Sequence, residues 1–416
     1  LQSARQELSH SLYQHDAACR VIVRLQKELG AAREALATLK PQTCSSEIEQ
    51  SVPVVAAVAS QDDVNSPIGM PIPSEVVSRL ESEAKLLTDI RRQRSKRPPD
   101  TLTPAESIRM FSCQKTFNAL HGSSSPGILC LDVSVRDPSF ILTGGNDKMA
   151  VVFKRDSQQV IATFKGHTKK VTHCLFHTRD NVAVTASPDT SIRVWSVDTS
   201  NCTQIIRAHS SAITGLSLHP TGDYVLSCSS EGSWAFSDLS TGRVFTKSCD
   251  PTEHKPCTSN HVSTCCQFHP DGIIFAVGSG DSSVRIWDVK DRVNVANFPG
   301  HKGKIRALAF SENGYYLASA AQDDVVKIWD LRKLKNIKSI ELNTNNETEL
   351  YKVNDMCFDQ TGIYFAVAGR DIRVFQAKSW DNLLTLNDHD EPVTGVRFGN
   401  NADSIISCSL DRLLKF

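Results

Sequence analysis

Apolar and polar positions along this chain change period three times. From Leu1 to Leu39 they repeat every seven residues, with Leu1, Leu8, His15, Ile22, Leu29 and Leu36 in one column and Ala4, Ser11, Ala18, Leu25, Ala32 and Leu39 in the other. A stripe that narrow predicts a coiled-coil oligomerisation helix over residues 1–40, because a lone helix cannot bury it. The small residues of the second column allow close approach of two helices, and His15 is placed to fix their register. A single amphipathic helix lying on the downstream domain is the competing arrangement.

Pro41 ends that pattern, and residues 41–73 are rich in Ser, Pro, Val and Gln with no sustained period, so they read as a linker. Residues 74–114 carry short helices. Ser74 offers a cap for a helix with Val77, Leu80, Ala84, Leu87 and Ile90 on one side, and Thr103-Pro104-Ala105-Glu106 combines a cap, a first-position Pro and a third-position Glu. Between them runs RRQRSKR, Arg91 to Arg97. It fits a nuclear import signal or a nucleic-acid contact, and equally a solvated basic helix end favoured by the helix dipole.

From residue 115 to 416 the pattern is one of short apolar strands, and three of them look alike: SPDTSIRVW, GSGDSSVRIW and AAQDDVVKIW. Each places a Trp six residues after an Asp. Stepping back 22 residues from Asp189, Glu231, Asp323 and Asp411 reaches His167, His209, His301 and His389, and stepping back four reaches Thr185, Ser227, Ser319 and Ser407. Trp195 and Trp329 complete the unit in two copies. Weaker copies surround Asp147 (Thr143, Phe153), Asp281 (Val277, Ser259, Trp287) and Asp371 (Val367, Glu349, Phe375). Seven acidic anchors spaced 40 to 50 residues apart predict an all-β, seven-bladed WD-repeat β-propeller over residues 115–416.

The residue types have a physical logic. A carboxylate in a tight turn holds an imidazole, the imidazole bonds a Ser or Thr hydroxyl, and the hydroxyl accepts an indole N–H. Such a set resembles a hydrolase triad, but its repetition argues for scaffold, since an enzyme needs one site rather than several partial copies. The last blade reaches Phe416 at its third strand, so the segment Lys115 to Leu120 is expected to supply its outer strand and close the ring.

Charge and composition narrow the picture further. The 46 basic and 46 acidic residues cancel, so attraction to nucleic acid or membrane must be local. Apolar runs are far too short to span a bilayer, and no membrane partner is expected. Thirteen Cys without CxxC pairs suit reduced, buried thiols. Cys249, His254, Cys257, His261, Cys265 and Cys266 cluster in sequence but fit no compact zinc pattern, and no metal, cofactor or catalytic residue is expected.

Lys169, Lys170, Lys302 and Lys304 follow two of the clamp histidines and are candidates to bind an acidic or phosphate-bearing partner. Arg193, Arg285, Lys327, Arg373 and Lys415 recur at one strand position, either as a basic ring or as ordinary outward residues. Trp329-Asp330-Leu331-Arg332 matches the short WDxR signature of propellers that act as substrate receptors of cullin-based ubiquitin ligases.

The stretches QELSHSLYQHDAACRVIVRLQKE, AAREALATLKPQ, FKGHTKKVT, VNVANFPGH, FSENGYYLA and KIWDLRKLKN resemble the pre-mRNA-processing factor 19 family along essentially the whole chain. That resemblance implies a homotetramer built through the coiled coil and a propeller that recruits proteins of the spliceosomal nineteen complex. It also implies a nuclear role in splicing and DNA-damage signalling, with only indirect contact to RNA. The family's ubiquitin-ligase module is an N-terminal U-box that binds a ubiquitin-conjugating enzyme. This chain begins within the helix, so the module is expected to precede it, and no catalytic contact maps onto these residues.

Overall fold

The computed structural model describes residues 72–96, 101–118, 120–122, 127–249, 262–343 and 351–416. The heptad segment with Leu1, Leu8, His15, Ile22, Leu25, Leu29, Leu36 and Leu39 lies outside the described residues, as does the linker up to residue 71. The described residues belong to one compact unit, 63–416. No described helix is long and apolar enough to cross a membrane.

Seven four-stranded antiparallel sheets make up the described β structure. Six are continuous in sequence: blade 1 (128–165), blade 2 (173–206), blade 3 (213–249), blade 4 (263–298), blade 5 (305–341) and blade 6 (355–386). Blade 7 takes three strands from residues 393–415 and its outer strand, Thr116–Phe117, from the other end of the unit. Thr116 pairs with Lys415 and Phe117 with Leu414, and Phe117 packs 4.9 Å from Phe153 and 5.5 Å from Phe416. Joining the two ends removes a free sheet edge. The expected seven-bladed ring is therefore the observed one, with the innermost strand of each blade touching that of the next.

Strand composition follows position within a blade. Second strands such as Tyr224–Ser229 and Tyr364–Ala368 are buried throughout, because each sheet face is covered by a neighbouring blade. Fourth strands such as Cys202–Ile206 and Asn294–Phe298 alternate exposed and covered residues, because one edge faces solvent. In blades 1 to 6 the fourth strand bulges by one residue against the third at one place, opposite Phe153, Trp195, Ser237, Trp287, Trp329 and Phe375.

The helix Ser74–Lys96 lies against blades 3 and 4, and Ser74 is its first helical residue. The second helix, Ala105–Ile108, starts one residue later than its sequence suggests. Pro104 rather than Thr103 is the cap, with extended backbone and no side-chain capping bond, because a ring without an N–H already leaves one fewer donor to satisfy. Ile108 is wholly buried among Tyr364, Val374 and Ile405 of blades 6 and 7.

Candidate functional site: the polar clamps and the faces they shape

Blade 2 shows the full construction. Asp189 stands in the turn between the second and third strands, and Thr190 after it adopts a left-handed φ of 70°. The carboxylate accepts the backbone N–H of Thr168 at 2.9 Å and of Ser191 at 3.0 Å, and meets His167 Nδ1 at 2.8 Å. His167 Nε2 lies 2.8 Å from Thr185 Oγ1, which also receives the indole N–H of Trp195 at 2.8 Å. The partners dictate the tautomer: Nδ1–H donates to the carboxylate, Nε2 accepts from the hydroxyl, and the hydroxyl oxygen accepts from the indole. Donation runs one way from Trp195 to Asp189, so each bond polarises the next.

Blade 5 repeats it with His301, Asp323, Ser319 and Trp329 at 2.8 to 3.2 Å. In blade 7, His389 meets Asp411 at 2.7 Å and Ser407 at 2.9 Å. Blade 3 uses Glu231, 2.8 Å from His209 Nδ1, while His209 Nε2 lies 2.9 Å from Ser227. Its longer acid also reaches Lys247 at 2.7 Å. Blade 3 has Ser237 at the bulge in place of Trp, and the Ser237 hydroxyl is buried without a partner.

Burial and hydrogen bonding set the charge states. Burial alone would raise the Asp189 carboxyl, but the donors Ser191, Thr168 and His167 outweigh it and bring it to about 2. Asp147, Glu231 and Asp323 are likewise held below the usual range by their donors, against the opposing effect of burial. His167, His301 and His389 are pushed below the usual histidine value by burial, more than their acids pull them up. Each pair of neutral imidazole and ionised carboxylate therefore carries one negative charge, which the converging N–H and O–H donors stabilise.

Three blades depart from the sequence reading. In blade 1 the imidazole is His121, 26 residues before Asp147, at 3.0 Å from that carboxylate and 3.0 Å from Thr143. Gly122 supplies the N–H that Thr168 supplies in blade 2. A longer connection hides this histidine from a fixed 22-residue step. In blade 6 the strands Tyr364–Ala368 and Ile372–Gln376 are joined by a turn two residues shorter than in blade 2, so Asp371 sits at the strand entrance instead of the turn tip. Tyr351 replaces the histidine, its hydroxyl donating to Asp371, and Arg373 closes the pair at 3.0 Å. Glu349 and Ser259 lie outside the described residues. In blade 4 Asp281 is held by Arg285 at 2.5 Å.

The recurring cations do not form a free ring. Arg285 and Arg373 pair with Asp281 and Asp371, Arg193 lies 5.9 Å over Trp195, Lys327 reaches Ser339, and Lys415 reaches the Asp388 carbonyl. Lys169, Lys170, Lys302 and Lys304 stand exposed in the loops that follow His167 and His301, and Lys302 also donates its backbone N–H to Asp323 at 2.8 Å. Arg332 folds back on Asp330 at 3.0 Å and stacks 4.4 Å over Tyr315. Of the zinc candidates, Cys265 and Cys266 lie in the first strand of blade 4, where burial drives the Cys265 thiol up to about 12. The side chain of Cys249 and residues 254, 257 and 261 are outside the described residues.

The opposite face carries a second device that the sequence reading missed. His219 Nε2 lies 3.1 Å from the Gly272 carbonyl of blade 4, and His269 Nε2 lies 3.0 Å from the Gly314 carbonyl of blade 5. Gly272 adopts φ +78°, and a Cβ there would fall 2.1 Å from the His219 ring, so no other residue fits. The signal was present as His-Pro-x-Gly at residues 219–222 and 269–272. At the seam of blades 6, 7 and 1, Arg397 joins Asp355 at 2.6 Å and Asp132 at 3.3 Å.

Seven clamped or paired sheets with broad solvent-facing loops on both faces define a WD-repeat β-propeller. The profile described as the Prp19 WD40 domain matches residues 120–411, and that described as Prp19/Pso4-like matches residues 1–39. Similar proteins include the pre-mRNA-processing factor 19 of Bos taurus and of Homo sapiens, each 50% identical over 419 residues, covering 100% of this chain and 81% of the relative. That of Caenorhabditis elegans is 44% identical over 416 residues, covering 100% of this chain and 80% of the relative. This chain belongs to the pre-mRNA-processing factor 19 family.

Proposed function

We propose that this chain is a nuclear scaffold subunit of the spliceosome-associated nineteen complex, acting in pre-mRNA splicing. The propeller recruits spliceosomal proteins and substrates through its loops, with Lys169, Lys170, Lys302 and Lys304 among the contacts. Residues 1–40 assemble a homotetramer, and contact with RNA is indirect, through those partners. Ubiquitin transfer belongs to a U-box of the full-length protein, which docks a ubiquitin-conjugating enzyme. The clamp residues give the blades their shape and take no part in chemistry.

One observation carries this reading: the similarity to proteins named pre-mRNA-processing factor 19 runs through residues 1–39 as well as the propeller. A nuclear extract depleted of the endogenous protein tests it. Adding back the longer protein should restore splicing of a reporter transcript, and adding one without residues 1–40 should not. Full restoration by the shortened protein would overturn the scaffold reading, and a concentration-independent monomer in light scattering would overturn the tetramer.

A further inference from the structure

The helix Ser74–Lys96 is bound to the propeller as a ligand is bound to a receptor. Ile72 and Leu80 are buried, and Val76 and Val77 pack beside them, in the cluster that holds Tyr224, Trp287 and Val289 of blades 3 and 4. Three ion pairs flank this apolar seat. Arg79 meets Asp223 at 2.7 Å, Glu81 meets Lys290 at 2.5 Å, and Arg91 meets Asp271 at 3.4 Å. The receptor charges come from three separate loops on the face opposite the clamps, and each is opposite in sign to the helix residue it meets.

The hold is modest. Two of the pairs are half exposed, where solvent screening leaves such contacts little net stabilisation. Arg91 Nη1 of the helix is buried with no partner, so this helix leaves one of its own donors unsatisfied in the groove. On the helix itself, Leu86 and Ile90 remain 61% and 48% exposed. A helix of this length draws most of its stability from packing, so release and unwinding are coupled.

We propose that the groove between blades 3 and 4 is a recognition site for amphipathic helices and that Ser74–Lys96 occupies it in cis. The partner it fits is a helix of another protein with the same pattern: a basic residue facing Asp223, an acidic one facing Lys290, a basic one facing Asp271, and aliphatic residues between. The cis helix blocks the site until such a partner displaces it. This names one surface for the recruitment proposed above and rests on that reading for its purpose, but its test is a binding measurement that does not involve splicing.

The probe is a fluorescein-labelled peptide of residues 70–98, titrated with the whole chain and followed by anisotropy. Arg79→Glu with Arg91→Glu weakens the cis helix and leaves the groove intact. The substituted chain should bind the peptide at least about tenfold more tightly than the unsubstituted chain, because the open fraction rises. Adding Asp223→Arg and Asp271→Arg to that chain should abolish the gain, and the swapped pair Arg79→Asp with Asp223→Arg should return the chain to its blocked state. Equal binding by the unsubstituted and released chains, no binding by the released chain, or binding indifferent to Asp223 and Asp271 would each overturn the proposal.

Discussion

His121 and Asp147 stand 3.0 Å apart in blade 1 although 26 residues separate them, whereas the clamp pairs of blades 2, 3, 5 and 7 are 22 apart. His121 is buried between Asp147 and Thr143, so His121→Ala removes one buried hydrogen-bond partner from each. The expected loss is about 1–3 kcal/mol of unfolding free energy, measured by urea denaturation. An unchanged midpoint would show that blade 1 needs no imidazole.

Ser319 serves two partners, His301 and Trp329, each at 2.8 Å. Ser319→Ala should cost about 2–3 kcal/mol and Trp329→Phe about 1 kcal/mol, because the second removes one donor while keeping an aromatic ring. The double substitution should cost clearly less than the two together, as the shared bond is lost only once. Additive losses would mean that the indole and hydroxyl act independently.

Arg397 pairs with both Asp355 and Asp132 where blade 7 meets blades 6 and 1. Arg397→Met should destabilise by about 3 kcal/mol, near the low end for breaking a buried pair because the guanidinium keeps partial solvent contact. Chemical denaturation would read it. A loss below about 0.5 kcal/mol would remove this seam from the account of ring closure.

Acid should unfold the propeller in two stages. His173 and His219 are pushed down to about 4 by burial, and His167, His301 and His389 are lowered from the same cause. The unfolded chain takes up protons near 6.5 while these groups stay neutral in the fold, so their stability is present above about 6.5 and is lost as pH falls toward 4. Asp189, held at about 2, contributes above about 3.9 and loses its contribution as pH falls toward 2. Melting temperature should therefore decline steadily below about pH 6.5, and a flat profile from pH 7 to 4 would contradict the charge states derived above.

Arg332 spends its guanidinium on Asp330 and on the ring of Tyr315. Arg332→Ala should leave stability within about 0.5 kcal/mol and partner recovery unchanged, measured by melting and affinity purification. Loss of cullin-ligase components on this substitution would favour the receptor reading of the WDxR signature.

Much of the clamp system was legible because it obeys fixed spacing. His167, Thr185, Asp189 and Trp195 recur as a set wherever connections keep one length, and the same intervals recover His301, Ser319, Asp323 and Trp329. Fixed spacing fails where connection length changes. A longer entry hides His121, and a shorter turn in blade 6 moves Asp371 and lets Tyr351 stand in for an imidazole. Spacing also says nothing about contacts between blades, so the His219 and His269 links across to Gly272 and Gly314 were overlooked despite their repeated His-Pro-x-Gly.

The linear chain determined the number of blades, the residues that pin most of them, and the use of an N-terminal strand to close the ring, because all three follow from local periods that survive without any fold. Only the folded ring decided that Arg79 finds Asp223 across 144 residues, or that Arg397 joins three blades. Those pairings depend on closure itself, which brings loops from distant repeats onto one face, and no interval along the sequence encodes that distance.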